Sequence, residues 1–97
     1  MTTRGHTKPA TFRWNRADGS PGAEGFVNTL DEVKLFVPRL GRYVRVAQLD
    51  RVDGGYRIAE VDIEYRASVG DPLPDKHDSR PSAGRWLAKR LDAAGRL

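Results

Sequence analysis

Residues 28–41 read NTLDEVKLFVPRLG, and their reading decides whether a helix separates two hairpins or one strand simply follows another. Thr29 stands three residues before Glu32. Its side chain can accept from the Glu32 N–H while the Glu32 carboxylate reaches back to the Thr29 N–H, the reciprocal arrangement of a helix-opening capping box. Leu30, Val33, Phe36, Val37 and Leu40 then recur at helical spacing and make one apolar stripe. Pro38 has no N–H and disfavours helical geometry at Val37, so the helix should stop or kink there, before Gly41. Against the helix stands VKLFV, whose β-branched and aromatic content suits a strand. The capping box favours the helix, and a helix beginning at Leu30 is the expectation.

Downstream, RYVRVAQLDRVDGGYRIAEVDIEYR (42–66) forms two extended runs around Asp53, Gly54 and Gly55. A two-residue turn at Asp53-Gly54 sets Val44 opposite Ile63, Val46 opposite Val61, Arg45 opposite Asp62 and Asp50 opposite Arg57. A three-residue loop would oppose Arg45 with Ile63 and Val46 with Asp62, so pair chemistry selects the shorter turn. Ala59, Val61, Ile63 and Tyr65 would then face the core and Glu60, Asp62 and Glu64 the other side. The same register leaves Leu49 and Ile58 on the acidic face. Either a second layer covers the tip, or a bulge near Ala47 and Gln48 switches phase.

Upstream, Phe12 and Trp14 alternate with Thr11, Arg13 and Asn15, the period of a half-buried strand. RADGSPGAEG (16–25) supplies turn formers before FVN resumes an extended segment, which predicts a hairpin over residues 11–28. Residues 1–10 carry Arg4, His6 and Lys8 among Thr, Gly and Pro and read as a flexible basic arm. Residues 68–81 contain three prolines and read as a non-helical connector.

The last segment, SAGRWLAKRLDAAGRL (82–97), has Ser82 as a possible cap and Gly95 as a stop. At 100° per residue, Ala83, Trp86, Leu87, Leu91, Ala94 and Leu97 share one face, and Arg85, Lys89, Asp92 and Arg96 share the other. Arg90 falls inside the apolar arc, where its guanidinium must snorkel, stack on a ring or meet a carboxylate. The expected fold is therefore a small single α+β domain of order ββαββα. Two antiparallel β-hairpins form one sheet in a core spanning residues 11–67, a helix lies between them, and an amphipathic C-terminal helix covers the other face or a partner. Residues 11–37, on the patterns RWNRADG and NTLDEV, resemble the hairpin-then-helix of the arm-type DNA-binding domains of tyrosine recombinases. The second hairpin departs from that pattern, and no functional residue is carried over from the resemblance.

Length and composition narrow the function. Ninety-seven residues hold one core, and the absence of cysteine removes thiol nucleophiles, thiolate zinc sites and disulfides. No apolar run approaches the roughly 20 residues that cross a bilayer, and MTTRGHTKPA lacks the apolar core of a secretory signal. A cytoplasmic protein is expected. The formal charge of +4 and pI of 9.9 suit an anionic partner, although Arg-rich, GC-biased coding produces such an excess without function.

Chemistry-bearing groups are sparse. His77, between Asp75 and Asp78 in DKHD, could belong to a metal site but reads as a solvated loop residue. Glu60, Asp62 and Glu64 read as the exposed face of a strand, with Arg45 as a cross-strand partner for Asp62. The glycine-bearing loops ADGSPG and VDGG lack the context of a phosphate-cradling loop. Phe12, Trp14, Tyr43, Tyr56 and Tyr65 alternate with Arg in a way that can stack single-stranded bases, yet in a small protein such residues more often form the core. No enzyme, cofactor, metal or small-molecule substrate is expected. The function expected is nucleic-acid binding by a small non-enzymatic protein, as an accessory or mobile-element (phage or plasmid) protein would require. Arg4, Lys8, Arg13 and Arg16 in the arm and first hairpin, and Arg85, Lys89 and Arg96 on the last helix, would contact phosphate in DNA or RNA. The rival expectation is a protein–protein module or homodimer that uses a sheet edge or the face carrying Trp86, Leu87, Arg90 and Leu91.

Overall fold

The computed structural model describes residues 8–97 other than 17 and 20, with residues 21–23 described by backbone alone. Five strands run in sequence order through one antiparallel sheet: β1 (Ala10–Asn15), β2 (Pro21–Val27), β3 (Glu32–Val37), β4 (Arg42–Val52) and β5 (Gly55–Val61). Two helices follow, α1 (Ile63–Val69) and α2 (Arg80–Ala93). The chain is α+β as expected, but with five strands and with both helices after the sheet.

The helix expected from Leu30 is a strand. Val33, Leu35 and Val37 are fully buried at period two, while Leu30, which completed the helical stripe, is 70% exposed. Glu32 is recruited not by Thr29 but by Asn28, one residue earlier. The Asn28 Oδ1 accepts from the N–H groups of Leu30 (3.0 Å) and Glu32 (2.9 Å), and its Nδ2 donates to Glu32 Oε1 at 2.8 Å. Those bonds fold Asn28–Asp31 into the turn between β2 and β3, with Asp31 at φ 61°. With β3 a strand, the hairpin-then-helix pattern behind the resemblance to recombinase arm-binding domains is absent.

The β4–β5 hairpin keeps the expected register at its tip, with Val52 opposite Gly55 and Asp50 opposite Arg57, whose charged groups lie 3.3 Å apart. Between Gln48 and Leu49 the register shifts, so that Gln48 faces Glu60 and Ala47 faces Val61. The extra residue on β5 is Ala59. This bulge resolves the phase conflict: Leu49 and Ile58 turn inward together with Val46, Ala47 and Val61. Beyond Val61 the expected strand does not continue, and neither the Val44–Ile63 nor the Val46–Val61 pairing forms. Ile63 is 91% exposed on α1, whereas Tyr65 and Val69 are buried one helical turn apart.

α2 begins at Arg80, before the expected start, because Ser79 rather than Ser82 is its cap: Ser79 Oγ accepts from the Ser82 N–H at 3.1 Å. At the other end the Arg96 N–H reaches the Leu91 carbonyl at 2.9 Å with Gly95 at φ 71°. The helix packs on β1 and β2 and also on β5, at the opposite margin of the strand order. The twisted sheet therefore curls around it. Contact at β1 is close because two glycines leave room for one ring. A Cβ on Gly25 would come within 2.7 Å of Phe12 Cζ, and a Cβ on Gly84 would overlap the same ring at Cε1 and Cζ. Phe12, Trp14, Leu35, Leu49, Tyr65, Leu87 and Leu91 form the centre of the core. Among the described residues, no helix is long and apolar enough to cross a membrane.

Candidate nucleic-acid interface

The outer margin of β1 meets the exposed side of α2. Arg85 on α2 donates from Nε to the Arg13 carbonyl of β1 at 3.0 Å, which joins two basic stretches 72 residues apart in sequence. Because that acceptor is neutral, the Arg85 charge stays uncompensated by the bond. The Arg13 side chain is 84% exposed and lies 3.7 Å from Glu24, a pair that contributes little in water. Lys89, one turn along from Arg85, lines a cleft of about 310 Å³ with Asn15, Asp92 and Ala93. Lys8 is exposed just ahead of β1 and Arg16 half-buried just after it. Arg4 lies outside the described residues.

Not every expected site residue belongs to this margin. Arg96 is structural: it lies 5.1 Å over the Tyr65 ring and donates to Ser68 Oγ (2.8 Å) and the Glu64 carbonyl (3.2 Å), tying the end of the chain to α1. Leu87 and Leu91 are fully buried in the chain's own core, so the apolar face of α2 is already covered. Arg90 stacks 4.9 Å over the Trp86 ring and donates from Nε to the Val69 carbonyl at 3.0 Å, which satisfies the last turn of α1. It meets none of the acids Glu60, Asp62 and Glu64.

Those three acids do not form one face. Arg45 gathers Asp62, in close contact, with Glu32 at 3.0 Å and Glu60 at 3.8 Å, while Glu64 sits on α1 and faces Arg96 at 3.9 Å. The expected Arg45–Asp62 pair is present, although Asp62 makes it from the N-cap of α1 rather than from a strand. The Asn28 amide first, and Arg45 as well, hold the Glu32 carboxyl below its ordinary value against the opposing effect of burial. Arg45 thus draws three carboxylates together on β3, β5 and the α1 cap, away from the β1–α2 margin where Arg13, Arg85 and Lys89 lie.

His77 is not in a solvated loop. It is buried, and its backbone extends the sheet past β5 through N–H to O bonds with Tyr56 of 2.7 and 2.8 Å in the two directions. Its ring lies 5.7 Å from that of Trp86, its Nε2 is buried without a hydrogen-bond partner, and burial pushes its pKa down against the pull of Asp78.

Of the five aromatics expected to alternate with Arg, Phe12, Trp14 and Tyr65 are core residues. Tyr43 instead joins two rings that the helical reading of β3 kept from view. Phe26 on β2 and Phe36 on β3 stand 5.1 and 5.3 Å from it, both edge to face, on the side of the sheet away from α2. Tyr43 donates its hydroxyl to Glu24 at 2.9 Å, and this bond chiefly raises the phenol's pKa. Thr11, Arg13, Glu24, Gly25, Phe26 and Tyr43 border a cleft of about 330 Å³ that runs from the basic margin to these rings. The signal that could have found them is the period-two alternation of Lys34 and Phe36 with Val33, Leu35 and Val37. Compared with known proteins, the chain finds no match among family models, curated proteins or solved structures.

Proposed function

We propose that this chain is a small non-enzymatic protein that binds nucleic acid through the basic margin formed by β1 and α2. The observation that carries the reading is the Arg85–Arg13 hydrogen bond, which gathers Arg13, Arg85 and Lys89 on one surface, while Glu32, Glu60 and Asp62 are drawn to Arg45 on β4. Such a distribution steers a polyanion to one side and positions it by its phosphates without reading sequence. The rival reading as a protein–protein module draws less support. Leu87 and Leu91 are buried, the Tyr56–His77 bridge covers part of the β5 edge, and Arg85 occupies an edge carbonyl of β1.

Binding of labelled DNA and RNA, followed by anisotropy across a salt series, tests the proposal. Affinity should fall steeply with salt, and replacing Arg13, Arg85 and Lys89 together by Gln should lower the log–log salt slope by about 2 to 3. No binding at low salt would overturn it. A stable dimer by light scattering whose formation excludes nucleic acid would favour the rival.

A further inference from the structure

We infer that Phe26, Phe36 and Tyr43 form a stacking platform for unpaired bases, so that the nucleic acid engaged by the basic margin is single-stranded. The inference rests on the β1–α2 reading above and names its ligand class. Three rings occupy three adjacent strands on the side of the sheet away from α2, and none belongs to the buried cluster that closes the core. Tyr43 is 39% exposed. A cluster of rings left at a surface in a domain this small is surplus to its packing and marks a contact face.

The position of the rings relative to charge selects the occupant. The cleft that ends at Phe26 and Tyr43 starts at Arg13, so a strand whose phosphates lie along Arg13 and Arg85 would carry its bases over the rings. Lys34, paired across β2–β3 with Phe26, adds a cation inside the aromatic group. The one carboxylate in the cleft, Glu24, accepts from the Tyr43 hydroxyl and faces Arg13, so it holds the ring and is itself partly neutralised. Ring faces beside a basic track suit bases of any identity, because every base has a π-face. In a duplex those faces are already stacked on one another.

The test compares short labelled oligo(dT) and oligo(rU) with a duplex of equal length at low salt. Single strands of either sugar should bind more tightly than the duplex. Phe26→Leu and Tyr43→Leu keep apolar volume and remove the π-face; each should weaken single-strand binding about five- to a hundredfold, with duplex binding and the thermal midpoint little changed. Phe26→Trp and Tyr43→Trp should restore it. If duplex binds as well as single strand and the Leu variants bind normally, while Gln replacement of Arg13, Arg85 and Lys89 weakens both, the platform is overturned and the basic margin stands. If the unaltered chain binds no nucleic acid at low salt, both are overturned.

Discussion

Phe12 on β1 rests against the backbone of Gly84 on α2, so close that a β-carbon on Gly84 would enter the ring. The contact sets how near α2 approaches the sheet. It also fixes the margin where Arg85, the next residue of the helix, reaches the Arg13 carbonyl.

Gly84→Ala should therefore destabilise the fold by about 1–3 kcal/mol through overpacking, although alanine is the better helix former. Phe12→Leu alone should cost a similar amount. Combined with Gly84→Ala it should cost less than the sum, because the smaller side chain makes room. Urea unfolding of the two single variants and the double variant measures the coupling; strict additivity would show that the two residues do not share the space.

Acidification should weaken the fold through His77. Burial lowers its folded pKa below the ordinary 6.5, so between the two values the unfolded chain binds more protons than the folded one. Stability then rises with pH across that window and is lost as pH falls below about 6.5. Thermal midpoints from neutral to mildly acidic pH should drop for the unaltered chain and stay flatter for His77→Gln. An equal drop in both would assign the effect to another group.

Removing everything after Arg80 should abolish cooperative unfolding rather than shift it. Leu87, Ala88 and Leu91 are fully buried against β1, β2 and β5. Without them Phe12, Trp14 and Leu49 face water. A truncated chain that retained the thermal midpoint would mean that α2 is an appendage to a core complete without it.

Where two signals agreed, the sequence was readable. Asp50 with Arg57 and the Asp53-Gly54 turn together identified the hairpin tip, and the misplacement of Leu49 and Ile58 left a covered tip or a bulge open, of which the bulge is present, with its extra residue on β5. Of the three outcomes open to Arg90, it takes stacking, on Trp86, and its hydrogen bond goes to the Val69 carbonyl rather than to a carboxylate. Failure came where one pattern satisfied two periods. Leu30, Val33, Phe36, Val37 and Leu40 match a helix, but the strand pattern Val33, Leu35, Val37 is the buried one, and Asn28 offered Glu32 a better bond than Thr29 could. In VDIEYRASV, strand alternation through Ile63 hid the helical spacing of Val61, Tyr65 and Val69. Tertiary context chose the period, and with it the side of the sheet on which Phe36 lies, beside Phe26 and Tyr43. For that reason Phe36 was not among the aromatics singled out from the sequence, whereas Tyr43 and the basic residues Arg13, Arg85 and Lys89 were.

The meander order of the sheet, with α2 last, also has a consequence for synthesis. On the ribosome the pairing partner of each strand is the one made just before it, but the sheet has nothing to pack against until α2 is made, so folding waits for the end of this sequence. The apolar lining of Val33, Leu35 and Leu49 is then laid down well before Leu87 and Leu91 exist to cover it. During that interval those apolar side chains have no cover, and the step that ends their exposure is the emergence of the helix, not the synthesis of the last strand.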